Sequence, residues 1–247
     1  TPKGAIIAML AAKIMKVPTR IYFRHGLVYE TSKGLKRFVL KSIDKMASTF
    51  ATKVVSVSPS VAKKSIEDKL NHSSKQIILN KGTCNGIDIK RFNKNNIELF
   101  IINQLKIKYQ IKEEYVIGYV GRLVKDKGII ELTESFELLY QLYPNVKLLL
   151  VGMFEERDAL PLHIVQKIQE HPNIILTDYV DNRDIHNYYA LMDVFVLPSY
   201  REGFPTSVLE ASSMSLPIIT TQVTGCIDSI IDNWTGVFVG NNVESLF

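Results

Sequence analysis

Cysteine is nearly absent from this sequence: Cys84 and Cys226 stand far apart among 247 residues. No CxxC pair and no Cys/His cluster with zinc spacing occurs, which argues against a disulfide scaffold and a structural metal and fits a reducing compartment. Long apolar runs are lacking too. The longest early one, Ala5 to Ala12, closes at Lys13 and is far too short to span a bilayer. With no basic lead-in and no small-residue cleavage site, it does not read as a signal peptide. No block of five or six like charges occurs, although the formal net charge is +5. The excess reads as solvated basic surface, or as attraction to phosphate-bearing ligands or an anionic membrane face. An initiator methionine is missing, and the chain stops inside what reads as a new helix, Asn242-Val-Glu-Ser-Leu-Phe. The expectation is a fragment cut at both ends.

What is present suits a soluble protein with a real core: 46% hydrophobic and 22% charged residues, over a length that allows one large domain or two small ones. Short apolar runs alternate with helical patterns. Strands are predicted at Arg20 to Phe23, Lys53 to Val57 and Gln76 to Asn80, with helices at Lys33 to Phe50 and Pro59 to Leu70, the latter entered through Ser58 as N-cap. A polar stretch near residues 90–112 reads as an interdomain link, with a helix conceivable over Leu99 to Ile111. A second series follows. Its strands are Tyr115 to Val120, Val146 to Val151, Ile174 to Thr177, Val194 to Leu197, Pro217 to Thr220 and Val237 to Val239. Its helices are a stripe through Ile129, Leu132, Phe136, Leu139 and Tyr143, then Glu155 to Gln169, Asn182 to Leu191, Pro205 to Met214 and Cys226 to Ile231. Such alternation predicts βαβ units and parallel sheets. The fold class is α/β with two Rossmann-like lobes, residues 1–95 and 96–247, and a cleft between them.

Two constellations carry chemistry. In Gly118-Tyr-Val-Gly121-Arg122-Leu-Val-Lys125-Asp126-Lys127-Gly128, a strand ends and a helix begins. Ligands of open α/β sheets sit at such strand ends, and Arg122 with Lys127 can reach one pyrophosphate. The alternative is a basic surface loop; the glycines do not form a GxGxxG dinucleotide fingerprint. In Pro198-Ser-Tyr-Arg-Glu202-Gly203-Phe204-Pro205-Thr206-Ser207-Val208-Leu209-Glu210, Glu202 lies in a strand-to-helix loop. Glu210 lies about one and a half turns into the helix. The amides of Phe204 to Ser207 are the unpaired donors of that helix's N-terminus, which suit anions. A carboxylate beside them can bind sugar hydroxyls without a metal; the bland alternative is two solvated glutamates.

The stretch from Glu202 to Glu210 resembles the Glu-x7-Glu motif of retaining GT-B glycosyltransferases, the large family four. Gly121-Arg122-Leu-Val-Lys125-Asp-Lys127-Gly128 resembles that family's donor loop. Pro198-Ser199, Ala211, Pro217 and Gly225 fit its flanking positions, and Asn85-Gly86-Ile-Asp88 with Phe92 resembles its segment before the interdomain link. The resemblance implies that Arg122 and Lys127 hold the donor diphosphate. It implies that Glu202 contacts the transferred sugar and Glu210 the ribose hydroxyls. The backbone of Gly203, Phe204, Pro205 and Thr206 would touch sugar and phosphate. His25, in Phe23-Arg24-His25-Gly26, resembles the family's cleft histidine and is expected to face Glu202 across the cleft; the alternative is a structural histidine. The family's N-terminal glycine-rich loop and its returning C-terminal helices are missing.

Implied with this is transfer from a nucleotide-diphosphate sugar, UDP-linked, with retention. Two routes give it: carboxylate attack through a glycosyl-enzyme, or same-face attack assisted by the leaving phosphate, which is favoured because Glu202 is expected to bind hydroxyls. The donor loop has no DxD motif, so no metal and no cofactor is expected; Asp181-Asn-Arg-Asp184 reads as a helix cap and surface turn. The wording around Glu202 and in Val223 to Asp228 resembles bacterial capsule and surface-polysaccharide transferases. That points to a glycan or polyprenyl-lipid-linked acceptor, peripheral contact with the inner face of the cytoplasmic membrane, and no nucleic-acid partner. The rivals are a GT-B nucleotide-sugar epimerase and a non-catalytic nucleotide-sugar-binding module.

Overall fold

A computed structural model describes residues 2–83 and 85–247. Thr1 and Cys84 lie outside the described residues, and with Cys84 half of the cysteine reading. The chain forms two compact units. One comprises Thr1–Gly86, Arg201–Pro205 and Val223–Ser229; the other comprises Ile87–Tyr200, Thr206–Gln222 and Ile230–Phe247.

In the first unit, helix α1 (Pro2–Ile14) precedes strand β1 (Ile21–Arg24). Helix α2 (Gly34–Phe50) then leads to β2 (Lys53–Ser56), and α3 (Pro59–Glu67) to β3 (Gln76–Ile78). The strands pair in parallel in the order β1-β2-β3, with Tyr22 opposite Val54 and Val55 opposite Ile77. α2 turns Asp44, Ala47 and Ser48 inward, the three- and four-residue spacing that keeps one helical face on a sheet. Ala47 joins Tyr22, Ala51 and Val54 in a core on which Ala5, Ile6 and Met9 of α1 pack. α3 starts as expected: the Ser58 hydroxyl accepts from the Val61 amide at 3.3 Å, with Pro59 opening the first turn.

A charged pair sits inside this unit, Arg24 with Asp44. Arg24 is 0% exposed. Its guanidinium donates to Asp44 Oδ1 at 2.5 Å, to Ser48 Oγ at 2.5 Å and to Asn71 Oδ1 at 2.7 Å. It therefore ties the end of β1 to α2 and to the turn after α3.

The second unit holds α4 (Leu99–Lys108), β4 (Tyr115–Val120), α5 (Ile129–Leu142), β5 (Val146–Val151), α6 (Leu162–Glu170) and β6 (Ile174–Leu176). It continues with α7 (Ile185–Tyr189), β7 (Val194–Leu197), α8 (Thr206–Ser213), β8 (Ile218–Thr221), β9 (Gly236–Val239) and α9 (Val243–Leu246). Among the described residues its strands run β6-β5-β4-β7-β8-β9, all parallel. This is the doubly wound Rossmann order, and its direction of growth reverses between β4 and β7, where such sheets bind ligands. β5 is buried at every residue, as a central parallel strand covered on both faces must be.

Several helices are shorter than expected: α3, expected to reach Leu70, ends at Glu67, and three others depart further. The one expected from Glu155 starts at Leu162, after Pro161. Residues 155–161 stay in a loop in which Asp158 has φ +67° and its carboxylate accepts the Asp126 amide at 2.8 Å. The one expected over Asn182 to Leu191 covers only Ile185–Tyr189. Asp181 captures the Arg183 amide and guanidinium first, at 2.8 and 3.0 Å, as an Asx turn does. Cys226 to Ile231 forms only the 3₁₀ turn Cys226–Asp228. The segment Leu99–Lys108 is helical within the polar stretch.

Because Arg24 and Asp44 are both desolvated, removing one leaves an uncompensated charge. Arg24→Ala or Asp44→Ala is expected to destabilise the first unit by about 3–5 kcal/mol. The double variant Arg24→Met/Asp44→Leu should lose much less. Urea melts of the three variants measure the difference.

Candidate functional site

In the first unit the carboxyl end of β1 releases His25, whose side chain is exposed and whose ring centre lies 5.3 Å from that of Phe23. A hollow of about 170 Å³ opens here, lined by Phe23, His25, Tyr29, Leu40, Asp44 and Arg201 among others. Gly203 lies directly on this strand end: a Cβ there would overlap the His25 carbonyl oxygen, so only glycine allows the approach. Its own carbonyl accepts from Ser58 Oγ at 2.8 Å. The Glu202 amide donates to the Thr224 carbonyl at 3.1 Å, and the Thr224 hydroxyl donates to Glu30 at 2.8 Å. Arg201 Nε donates to Thr31 at 3.1 Å. The Ser60 amide reaches the Asp228 carboxylate at 2.9 Å, and the Gly225 amide donates to Ser60 Oγ at 2.8 Å. Two loops from late in the chain are thus sewn onto the strand ends of the first βα units, and His25, Glu202 and Gly203 belong to one compact unit. Burial raises the Glu30 carboxyl above its ordinary range, against the opposing hydrogen bond from Thr224.

In the second unit the loop after β4 carries Arg122 and Lys127. Arg122 is exposed and its Nη1 pairs with Glu155 Oε2 at 2.9 Å; its carbonyl accepts from the Tyr119 hydroxyl at 2.8 Å. Lys127 lies in a 3₁₀ turn, Lys125–Lys127. Gly128 then takes φ +70°, and a Cβ on it would strike the Pro198 carbonyl. The loop after β4 therefore packs closely on the start of the loop after β7, and the Tyr200 amide donates to the Asp126 carbonyl at 3.0 Å. The Tyr200 hydroxyl donates to Glu131 at 2.6 Å; burial, with that hydrogen bond, pushes its pKa up to about 12. Thr206 opens α8 and is exposed; Pro205 and Phe204, which belong to the first unit by contact, are buried and half-buried.

Glu210 projects from α8 and is half-buried. Its Oε2 accepts the hydroxyl of Tyr189, a fully buried residue, at 2.8 Å. Burial raises the Glu210 carboxyl; the Tyr189 hydrogen bond and the charge of Arg91 oppose this. Phe92 meets the Tyr189 ring edge-on at 5.9 Å, and its carbonyl accepts from Ser213 of α8 at 2.6 Å. The Asp88–Phe92 turn, closed by Asp88 accepting the Lys90 and Arg91 amides at 3.1 and 3.2 Å, thus supports α8 from behind. Tyr189 was not among the residues singled out in the sequence. It sits in a short helix read only as scaffold, and no local spacing links it to Glu210. Ser58 was noticed as a cap alone, and Ser60 and Asp228 carried no signal of their loop-holding role.

Among the described residues, no three His, Cys, Asp or Glu side chains gather as a metal-ion site requires. No helix among them is long and apolar enough to cross a membrane.

Two parallel α/β units, with a basic loop after β4 and a half-buried carboxylate on α8 after the adjacent strand, define the doubly wound class of fold. The chain belongs to the glycosyl transferases group 1 family, whose sequence profile matches residues 102–246. It is 39% identical over 241 residues to the capsular polysaccharide biosynthesis glycosyltransferase CapM of Staphylococcus aureus, covering 97% of this chain and 61% of the relative. It is 29% identical over 246 residues to the N,N'-diacetylbacillosaminyl-diphospho-undecaprenol alpha-1,3-N-acetylgalactosaminyltransferase of Campylobacter jejuni, covering 96% of this chain and 61% of that protein. The chain thus spans about three fifths of the length of these relatives. In fold it matches Anabaena HepE, solved with UDP and glucose, with a TM-score of 0.83 and 20% identity over 100% of this chain and 64% of that one.

The raised Glu210 carboxyl has a signed consequence. An acid whose folded pKa lies above its unfolded one makes stability fall as pH climbs from the unfolded to the folded value. Glu210→Gln, which keeps an acceptor for Tyr189, is therefore expected to melt at a higher temperature than wild type at pH 7. The gap should close below about pH 4.5, the ordinary glutamate range. The same variant should bind UDP more weakly; thermal melts against pH and calorimetry with UDP read the two effects separately.

Proposed function

We propose that this chain carries the donor and sugar-handling residues of a retaining glycosyltransferase. The reaction is transfer of a hexosyl or N-acetylhexosaminyl unit from a UDP-sugar to a glycan or polyprenyl-diphosphate-linked acceptor. The observation that carries the reading is Glu210, a half-buried carboxylate on α8, pinned by the buried Tyr189. It is an acceptor set in place before ligand arrives, suited to the two hydroxyls of a ribose. Arg122 and Lys127, in the loop after the adjacent strand, hold the diphosphate and stabilise the charge that grows on it as the glycosidic bond breaks. Glu202 binds hydroxyls of the transferred sugar, and the backbone of Gly203 to Thr206 contacts sugar and phosphate.

The leaving phosphate takes the acceptor's proton and the acceptor attacks on the same face, which gives retention. His25 and the hollow beside it, with Phe23, Tyr29 and Arg201, take the acceptor side. No metal is required, because cationic side chains do the charge stabilisation. The names of the relatives support the acceptor class: besides CapM and the Campylobacter enzyme, an Escherichia coli relative is a UDP-Gal:alpha-D-GlcNAc-diphosphoundecaprenol alpha-1,3-galactosyltransferase. Such an acceptor requires the inner membrane face. Exposed Leu35, Phe38, Val39 and Met46 on α2, interspersed with Lys36 and Lys45, suit peripheral contact there.

The test is a panel of UDP-sugars with polyprenyl-diphosphate sugar acceptors, scored for UDP release and for a lengthened glycan. Return of an epimerised nucleotide sugar, or binding without turnover, would defeat the reading. Arg122→Ala and Lys127→Ala should each slow transfer roughly ten- to a hundredfold while leaving the melt unchanged. Activity should survive EDTA; loss that magnesium or manganese restores would overturn the metal-free mechanism.

A further inference from the structure

The loop bearing Arg122 does not stand alone. It is zipped to the loop that follows β5, residues 152–158. The Gly121 amide donates to the Val151 carbonyl at 3.0 Å and the Leu123 amide to that of Met153 at 2.9 Å. The Lys125 amide donates to the Asp158 carbonyl at 3.1 Å, and the Asp126 amide to the Asp158 carboxylate at 2.8 Å. The two backbones nearly touch: a Cβ on Gly152 would overlap the Gly121 carbonyl oxygen. Glu155 sits in the middle of this zip, its Oε2 2.9 Å from Arg122 Nη1.

The backbone bonds fix the loop without help from that ion pair. The pair's side chains are 52% and 38% exposed, so water screens them and the pair adds little to folding. The bond runs from Nη1 to one carboxylate oxygen, whereas a guanidinium fork has five N–H donors. A weak, exposed pair on a rigid loop is easily exchanged for another anion. A nucleoside diphosphate brings more negative charge than one carboxylate and can engage the fork bidentately.

We propose that Glu155 is an internal counter-ion for Arg122, holding the guanidinium when the donor site is empty and competing with the nucleotide diphosphate for it. Glu155 is thus a positioning residue that moderates diphosphate affinity and returns to Arg122 as the product leaves. This rests on the assignment of Arg122 to the donor diphosphate.

Calorimetry with UDP on wild type, Glu155→Gln, Arg122→Ala and the double variant separates the two claims. Glu155→Gln should bind UDP roughly two- to fivefold more tightly at low salt, and the gain should shrink as salt rises. Affinity for uridine, which lacks phosphate, should not change. The gain should vanish in the Arg122→Ala background, and steady-state turnover by Glu155→Gln should show a lower donor KM with a kcat no higher than wild type. If Arg122→Ala weakens UDP binding while Glu155→Gln binds UDP no better than wild type, the counter-ion role is overturned and the donor reading stands. If Arg122→Ala leaves UDP affinity unchanged, both fall together.

Discussion

In the second unit every pair of neighbouring strands is parallel, so all the loops that leave carboxyl ends emerge on one side. The order then reverses next to β4, with β5 on one flank and β7 on the other. Successive crossovers must leave β4 and β7 by opposite faces, which opens a crevice between the two loops in sheets of this order. The placing of the candidate residues Arg122 and Lys127 follows from that constraint. The basic loop after β4 and the strand-to-helix loop after β7 become neighbours, and Gly128 lets them touch at Pro198. Tyr200 and Asp126 then fasten them by a backbone bond.

The first unit solves a related problem with hydroxyls. Arg201–Pro205 and Val223–Ser229 belong to it by contact although they follow β7 and β8 in the chain. Ser58 and Ser60, at the start of α3, each bind a late loop. Ser58 caps its own helix and takes up the Gly203 carbonyl. Ser60 binds Asp228 and the Gly225 amide. Short polar side chains at a helix N-terminus already face outward from a strand end, so the bonds need no further chain. Gly203 carries no side chain that could keep the loop away from His25.

Much of the second unit was legible in the sequence. Tyr115 to Val120, Val146 to Val151 and Val194 to Leu197 read as strands and are strands to the residue, because a buried parallel strand is a continuous apolar run with polar or glycine punctuation. Helix starts were less legible where a side chain intercepts the backbone. Asp181 and Asp158 both take amides that periodicity had left to helix or open loop. The stripe of α5 was read through to Tyr143, but the helix closes at Leu142 and Tyr143 is exposed.

The sequence by itself determined the fold class, the family resemblance and which residues have the chemistry to hold a phosphorylated sugar: Arg122, Lys127, Glu202 and Glu210 stand in local patterns, and local patterns are written in adjacent residues. Only the tertiary structure decided what each is tied to. Tyr189 reaches Glu210 across 21 positions, Glu155 reaches Arg122 across 33, and Ser58 reaches Gly203 across 145. Those partners are set by which strand ends lie side by side. That depends on the order in which the sheet assembles, which no single segment contains.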